Sequence, residues 1–146
     1  MMPEHQRVLA IDYGTKRIGL AVSDPLGLTA QPLGFVKFVS RSKFLEDVKK
    51  IVLEKSVQLI LIGLPINMDD SLGPKARECM RLAESVEKEC GVKTKLVDER
   101  LTTREAEQFL IDELDLSRKK RKGVKDTMAA CILLQSYLDH GPGAAA

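Results

Sequence analysis

The chain has 146 residues, 44% of them hydrophobic and 30% charged, and its formal net charge is +2. This length suits one domain with its own core, and the near balance of charge excludes a polycation that binds nucleic acid with its whole surface. We therefore expect a single domain over residues 1–146, with any nucleic-acid contact confined to a local patch.

The first part of the chain predicts three strands followed by a helix. Apolar runs at Val8 to Ile11 and Ile18 to Val22 flank a short turn, which is typical of a β-hairpin. A third extended segment covers Leu33 to Val39. From Ser42 onward apolar residues recur at helical spacing, and Ser40 or Ser42 can cap that helix.

Strands then alternate with helices. The continuous apolar run Leu59 to Ile62 is typical of a parallel strand buried on both faces, and another strand covers Val92 to Val97. Between these strands the pattern predicts a helix that begins near Pro74 and ends at Gly91. Thr102 opens a capping box, Thr-Thr-Arg-Glu, for the helix after the last strand.

The C-terminal part predicts one more helix, roughly Val124 to Leu138, which follows the basic run Arg118 to Lys122. The small-residue tail 141–146 is expected to be disordered. The complete order, β-β-β-α-β-α-β-α, predicts an α/β fold with a mixed five-stranded sheet and helices on both faces.

Acidic residues from three elements are expected to meet at one edge of this sheet. Asp12 ends the first strand, Asp98 and Glu99 end the last, and Asp126 lies in the first turn of the closing helix. Ligands of such sheets bind beyond the carboxyl ends of the parallel strands. Clustered carboxylates repel one another unless a cation neutralises them, and oxygen ligands suit Mg²⁺ or Mn²⁺. Paired ions of this kind commonly assist phosphodiester cleavage.

Each of these acids also has a purely structural interpretation. Asp12 could begin an Asx-turn with the glycine that follows in the hairpin. Asp126 could complement a helix dipole, and Asp98 or Glu99 could form a strand-end ion pair with Arg100. The metal-site hypothesis therefore depends on the convergence of the acids and not on any one of them.

Four ordered motifs that together cover most of the chain carry a resemblance to a known family. They are IDYGTKRIGLAVSD, LIGLPINMDDSLGPKA, LVDERLTTREAE and KDTMAACILLQSYLD. In these motifs the chain resembles the YqgF/RuvX family, whose members are similar to the RuvC Holliday-junction resolvases and share their RNase H-like fold. The resemblance implies a Mg²⁺- or Mn²⁺-dependent nuclease that processes the 5′ end of pre-16S rRNA in ribosome biogenesis, with cleavage of branched DNA as the related activity.

The resemblance also implies which acids act as catalytic metal ligands. Asp12 matches the family's first-strand acid and Asp126 its C-terminal helix acid. Resolvases of the RuvC type have a glutamate on the fourth strand, whereas this strand ends in Gly63-Leu-Pro-Ile-Asn67 with no acid until Asp69, and the family carries Asp-Glu-Arg on the fifth. Because side chains alternate along a strand, one of Asp98 and Glu99 can face inward. The longer Glu99 is favoured, since the fifth strand lies further from Asp12, and Asp98 stays the alternative.

Substrate-binding residues are expected around the same edge. Gly14 would let a phosphate approach the metals, and the basic run feeds directly into Asp126. The charges of the hairpin could equally be solvated turn residues, as charge runs usually are. The predicted substrate-binding set is Gly14, Lys16, Arg17, Asn67, Arg100, Arg118, Lys119, Lys120, Arg121 and Lys122.

Two other functions stay open at this point. The Asp-x-Gly-Thr hairpin also resembles the phosphate-binding turn of actin-like and sugar-kinase ATPases, although those proteins clamp nucleotide between two such domains. A non-catalytic nucleic-acid-binding adaptor on a nuclease-like scaffold fits the missing fourth-strand acid. RNA and branched DNA are both compatible with the sequence, as are monomer and dimer.

Cysteine usage and hydropathy indicate the compartment. Cys79, Cys90 and Cys131 are far apart, without a C-x-x-C pair, which favours neither disulfides nor a zinc site. The first residues lack the apolar core of a signal peptide, and the longest apolar stretch, Leu59 to Ile66, is too short to cross a bilayer. We expect a cytoplasmic protein with no membrane partner.

Overall fold

The computed structural model describes residues 6–14, 17–114 and 121–140, with the backbone alone at 113–114 and 121–126. The strands are β1 (Val8–Tyr13), β2 (Arg17–Ser23), β3 (Ala30–Lys37), β4 (Leu59–Leu64) and β5 (Lys93–Asp98). The helices are α1 (Arg41–Lys55), α2 (Pro74–Cys90), α3 (Arg104–Leu114) and α4 (Arg121–His140), and a 3-10 helix covers Glu99–Leu101.

The strands form one mixed sheet with β1 at its centre. Their order across the five-stranded sheet is β3-β2-β1-β4-β5. β2 pairs antiparallel with both β1 and β3, whereas β4 pairs parallel with both β1 and β5. The mixed sheet predicted from the sequence is confirmed, and the carboxyl ends of β1, β4 and β5 lie along the same edge.

Helices cover both faces of the sheet, and alternation along β1 decides which side chains face them. Leu9 and Ile11 belong to a core shared with residues of α1 and α2. Val8 and Ala10 belong to a second core shared with residues of α3 and α4. Because successive side chains of a strand point to opposite faces, Asp12 lies on the α4 face with Ala10.

Three predicted helix ends agree with the structure. The Ser40 side chain accepts a hydrogen bond from the Lys43 amide at 3.1 Å and so caps α1. Pro74 stands at the first position of α2, and Gly91 ends that helix with a φ of 66°. These caps are local sequence signals that tertiary packing did not override.

The predicted capping box of α3 is wrong by one residue. The Ala106 amide donates to Thr103 Oγ1 at 3.1 Å, so Thr103 is the N-cap. Thr102 instead donates its hydroxyl to the Glu99 carbonyl at 3.0 Å and closes the 3-10 helix. This extra turn after β5 delays the start of α3 and removes Glu105 from the position that a capping box requires.

Other boundaries differ from the sequence prediction. β3 covers Ala30–Lys37 and not Leu33 to Val39, because its residues pair with β2 from Ser23 onward. An edge strand tolerates the proline that this assignment includes. α4 begins at Arg121, so the end of the predicted basic loop is helical. The predicted disordered tail, 141–146, lies outside the described residues.

Candidate active site

Asp12 and Glu99 form a hydrogen-bonded carboxyl pair at the carboxyl edge of the sheet. Asp12 lies on β1, and Glu99 is the first residue of the 3-10 helix that follows β5. Both side chains are half-buried. They line a cavity of about 150 Å³ whose other walls are Thr102, Ala129, Ile132 and Leu133. The pair therefore opens into a pocket between the edge of the sheet and α4.

Glu99 reaches Asp12 by passing over β4, which separates β5 from β1. The residue of β4 beneath it is Gly63. A Cβ atom at this position would lie 2.6 Å from Glu99 Oε1 and 3.1 Å from Glu99 Cγ. The fourth strand, which lacks an acid of its own, is thus the strand over which the Glu99 side chain lies.

The two carboxyl groups both have raised pKa values in the metal-free protein. Burial, the charge of Asp12 and the hydrogen bond with Asp12 raise the pKa of Glu99 from 4.5 to about 7. Burial also raises the pKa of Asp12, while the hydrogen bond from Glu99 and the Lys75 ammonium oppose that rise. Desolvation of adjacent like charges is the physical cause of both shifts. Glu99 therefore keeps its proton to a higher pH than an ordinary carboxyl group does.

The chemistry of this pair fits a hard divalent cation. Both donors are carboxylate oxygens, and a bound cation would offset the desolvation that raises both pKa values and the Asp12 charge that raises that of Glu99. Among the side chains that the structure describes, no group of three or more His, Cys, Asp or Glu residues converges as a metal cluster. Asp126, the predicted third ligand, is described by its backbone alone. Its position in α4 is one helical turn before Ala129, which lines the cavity.

Asp98, the alternative third acid, pairs with Arg100. Its carboxylate accepts from Arg100 Nη2 at 2.8 Å, and Arg100 Nη1 donates to Asp70 Oδ1 at 2.7 Å. The hydrogen bond and charge of Arg100 lower the pKa of Asp98. Arg100 was predicted to bind substrate, and its guanidinium here ties the end of β5 to the loop of residues 65–73.

Asn67, another predicted substrate ligand, lies within that loop. Its side-chain amide donates to Ser71 Oγ at 3.0 Å, and its backbone carbonyl accepts from the Asp70 amide at 2.9 Å. The Asp69 carboxylate accepts from the Ser71 amide at 3.0 Å. These bonds hold the loop in shape above the edge that carries the carboxyl pair.

The geometry of the β1–β2 hairpin explains why position 14 is a glycine. A Cβ atom at this position would collide with the Arg17 carbonyl oxygen, so the turn itself requires glycine. The Arg17 guanidinium lies 4.9 Å from the centroid of the Phe35 ring. Lys16 lies outside the described residues. The substrate contacts predicted for this hairpin stay predictions.

The basic run lies mostly beyond the described part of the chain. Arg118, Lys119 and Lys120 are outside it, and Arg121 and Lys122 are described by backbone alone as the first residues of α4. The nearby Thr127 is buried and donates its hydroxyl to the Leu20 carbonyl. This bond fixes the N-terminal half of α4 against β2, and sequence reasoning missed it.

Lys75 is a further residue of the site that sequence reasoning missed. Its Nζ atom lies 4.4 Å from the centroid of the Tyr13 ring, which follows Asp12 on β1. Its charge lowers the pKa of both Asp12 and Glu99. The available signal was its position in the first turn of α2, directly after the loop over the edge. Lys75 thus supplies positive charge from the face opposite α4.

Comparison with known proteins gives a consistent assignment. The family model RuvX, described as Holliday junction resolvase, matches residues 6–140. A relative from Listeria innocua is 48% identical over 135 residues, covering 91% of this chain and 97% of the relative. A relative from Clostridioides difficile is 47% identical over 133 residues, covering 91% of this chain and 94% of the relative. Both are named "Putative pre-16S rRNA nuclease".

Solved structures share the fold. RuvC of T. thermophilus in complex with Holliday junction substrate has a TM-score of 0.65 at 15% identity, covering 97% of this chain and 100% of that one. The fowlpox virus resolvase in complex with Holliday junction DNA has a TM-score of 0.57 at 12% identity, covering 92% of this chain and 98% of that one. No helix among the described residues is long and apolar enough to span a membrane. With the RNase H-like fold of these resolvases and a family match over residues 6–140, the chain belongs to the RuvX family.

Proposed function

We propose that this protein is a divalent-cation-dependent endonuclease that hydrolyses phosphodiester bonds in structured RNA, with the 5′ end of pre-16S rRNA as its substrate. The observation that carries the proposal is the half-buried Asp12–Glu99 pair, which opens into a cavity at the carboxyl edge of the sheet. The names of relatives at 47–48% identity support RNA as the substrate. The family description, Holliday junction resolvase, supports branched DNA as the second candidate.

Asp12, Glu99 and Asp126 would hold Mg²⁺ or Mn²⁺ in this proposal. When bound, such a cation activates water and stabilises charge on the phosphate oxygens. The hydrogen bond with Asp12 orients Glu99 in the metal-free protein, and Glu99 would release its proton on becoming a ligand. The apolar side chains Ile132 and Leu133 limit the water that surrounds the pair. Arg100 holds the loop of residues 65–73 so that it borders the site.

The test is a cleavage assay with Mn²⁺ on RNAs that carry the 5′ extension of pre-16S rRNA, on unrelated structured RNAs and on four-way DNA junctions. Specific cleavage of the rRNA precursor supports the proposal, and cleavage of junctions alone would assign the protein to branched DNA. Binding without cleavage of any substrate would favour the non-catalytic adaptor. Asp12→Asn is the negative control of the assay.

The basic run of residues 118–122 is proposed to bind substrate phosphates. Replacing all five charges with glutamine should weaken binding to unrelated sequences by similar factors, because binding to phosphates does not read sequence. The slope of log affinity against log salt should fall by about 0.7 to 0.9 for each phosphate that the variant no longer neutralises. Thermal stability should hardly change, because the proposal places these charges in solvent, where charges contribute little to stability.

Fluorescence anisotropy over a salt series measures this effect. The matched control replaces five exposed lysines elsewhere on the surface, namely Lys49, Lys50, Lys55, Lys88 and Lys93. Equal losses of affinity in the two variants would show a nonspecific charge effect, and an unchanged affinity of the first variant would show that the run is only a solvated segment.

Lys75→Met should tighten Mn²⁺ binding by about three- to tenfold, because it removes a positive charge that competes with the cation for the carboxyl pair. Isothermal titration calorimetry at neutral pH measures the affinity. Lys88→Met, at the other end of the same helix, is the control and should bind Mn²⁺ like the wild type. Equal affinity of the two variants would show that the Lys75 charge does not act on the pair.

A further inference from the structure

We propose that Gly63 is a positioning residue of the site: its missing side chain leaves the volume on β4 in which the Glu99 carboxylate lies. The inference rests on the proposed nuclease function and deepens it. It implies that the acid delivered after β5 occupies the place that a side chain of β4 would otherwise fill. The absence of an acid on β4 is then compatible with an intact site, because Gly63 leaves room for Glu99 to lie beside Asp12.

Strand register places Gly63 beside Asp12. Ala10 of β1 pairs with Leu61 of β4, and both side chains belong to the core under α4. Asp12 and Gly63 each follow two residues later, so they stand side by side on the same face. Gly63 also pairs with Val97 of β5, another residue of that core. A Cβ at position 63 would therefore point to the face on which Asp12 and Glu99 meet.

The three atoms nearest to a Cβ at position 63 belong to one side chain. The nearest three are Oε1, Cγ and Cδ of Glu99, at 2.6, 3.1 and 3.2 Å. The backbone of Gly63 does not have a positive φ, so its conformation is open to any residue. Glycine inside a strand costs stability through its greater loss of backbone freedom. Packing and propensity alone would thus favour alanine, and the side chain of Glu99 is what opposes it.

The same geometry indicates that the carboxylate beside Asp12 could belong to a residue of β4 as well as to Glu99 after β5. An aspartate at position 63 would carry its carboxyl group directly on the Cβ atom that lies within 3.2 Å of the Glu99 carboxyl carbon. Glu99→Ala would remove the three nearest atoms, because Oε1, Cγ and Cδ all lie beyond the Cβ of residue 99. Combining Gly63→Asp with Glu99→Ala should therefore rebuild a carboxyl pair with Asp12.

The experiment compares Mn²⁺ affinity, single-turnover cleavage and thermal stability among four variants. Gly63→Ala should keep the wild-type melting temperature and lose roughly 10- to 100-fold in Mn²⁺ affinity and in cleavage rate, the usual cost of removing support for a metal ligand. Gly73→Ala is the matched control, since a Cβ there meets Asn67 Nδ2 at an ordinary 3.5 Å. It should bind Mn²⁺ like the wild type, with a slightly lower melting temperature because alanine is a poorer N-cap of α2 than glycine.

The double variant Gly63→Asp/Glu99→Ala distinguishes a positioning role of Gly63 from a purely structural one. Glu99→Ala alone should bind Mn²⁺ weakly, and adding Gly63→Asp should restore at least about tenfold of the lost affinity. A folded Gly63→Ala variant with wild-type affinity, or a double variant no better than Glu99→Ala, would overturn the inference.

A crystal structure of Gly63→Ala decides the matter without any cleavage. Displacement of the Glu99 carboxylate from Asp12 supports the positioning role, and an intact pair overturns it. If the wild-type protein cleaves nothing but the pair is displaced in Gly63→Ala, the proposed function fails while the inference stands.

Discussion

Asp12→Asn should abolish cleavage and leave the metal-free protein at least as stable as the wild type. The substitution removes a proposed cation ligand and the negative charge that would hold the cation at the scissile phosphate. It also removes the like charge that contributes to the raised pKa of Glu99. Asparagine can donate its amide to the Glu99 carboxylate, so a hydrogen bond between the two residues is kept. Loss of function without loss of stability is the signature of a site residue.

A purely structural Asp12 predicts a different result. Asp24 shows what a turn-forming aspartate looks like in this protein, since its carboxylate accepts from the Leu28 and Thr29 amides at 2.7 and 2.9 Å. Among the described residues, the side-chain hydrogen bond of Asp12 is to another carboxyl group.

The measurements are a melting curve in the presence of a chelator and single-turnover cleavage of the best substrate of the panel. Asp24→Asn is the matched control and should cleave normally. Cleavage by Asp12→Asn at the wild-type rate would show that Asp12 forms a turn at the end of β1 and is not part of a nuclease site.

The general position of the site could be predicted because it depends on local pattern. An apolar run that ends in Asp12 marks the carboxyl end of a strand, and the alternation expected at the end of the last strand separates Asp98 from Glu99, although the structure ends β5 at Asp98 and places Glu99 in the 3-10 helix. In the structure Glu99 lies beside Asp12, and Asp98 forms an ion pair with Arg100. Periodicity and caps likewise predicted the helices, with the largest errors where a 3-10 turn or an edge strand shifted a boundary.

The supporting residues could not be predicted because they depend on register and packing between distant segments. Gly63 stands beside Asp12 only because Ala10 pairs with Leu61. The register of parallel strands is not encoded by a turn, since a helix connects them. Lys75 reaches the Tyr13 ring through the packing of α2 against the sheet. These interactions join residues that no local motif links, so they emerged only with the fold.

The metal-free protein should lose stability as pH rises from about 4.5 to about 7, by on the order of 2–3 kcal/mol. Burial and the charge of Asp12 raise the pKa of Glu99 in the folded protein, so the fold binds a proton that the unfolded chain releases near pH 4.5. The stabilisation is therefore complete below that pH and is lost as pH approaches 7. The raised pKa of Asp12 acts in the same direction.

Among the side chains that the structure describes, the other groups with shifted pKa values titrate outside this pH window. The lowered pKa of Asp98 affects stability only below its ordinary value of 3.8, where the unfolded chain begins to take up protons. Burial raises the pKa of Cys79 from 9.0 to about 11, so this thiol acts only in alkaline solution. Within the described part of the chain, the carboxyl pair is thus the expected source of a fall in stability between pH 4.5 and 7.

Urea unfolding at pH 4.5, 6 and 7.5 in the presence of a chelator measures the effect, and Glu99→Gln tests its source. The glutamine cannot ionise, so the fall in stability should largely disappear in this variant, while Glu105→Gln, an exposed substitution on α3, should retain it. Saturating Mn²⁺ should also remove the fall in the wild type, because a cation favours the ionised pair that high pH produces. If the wild-type loss of stability is unchanged in Glu99→Gln, another group binds the proton. The proposal that the carboxyl pair is a cation site would then lose this support.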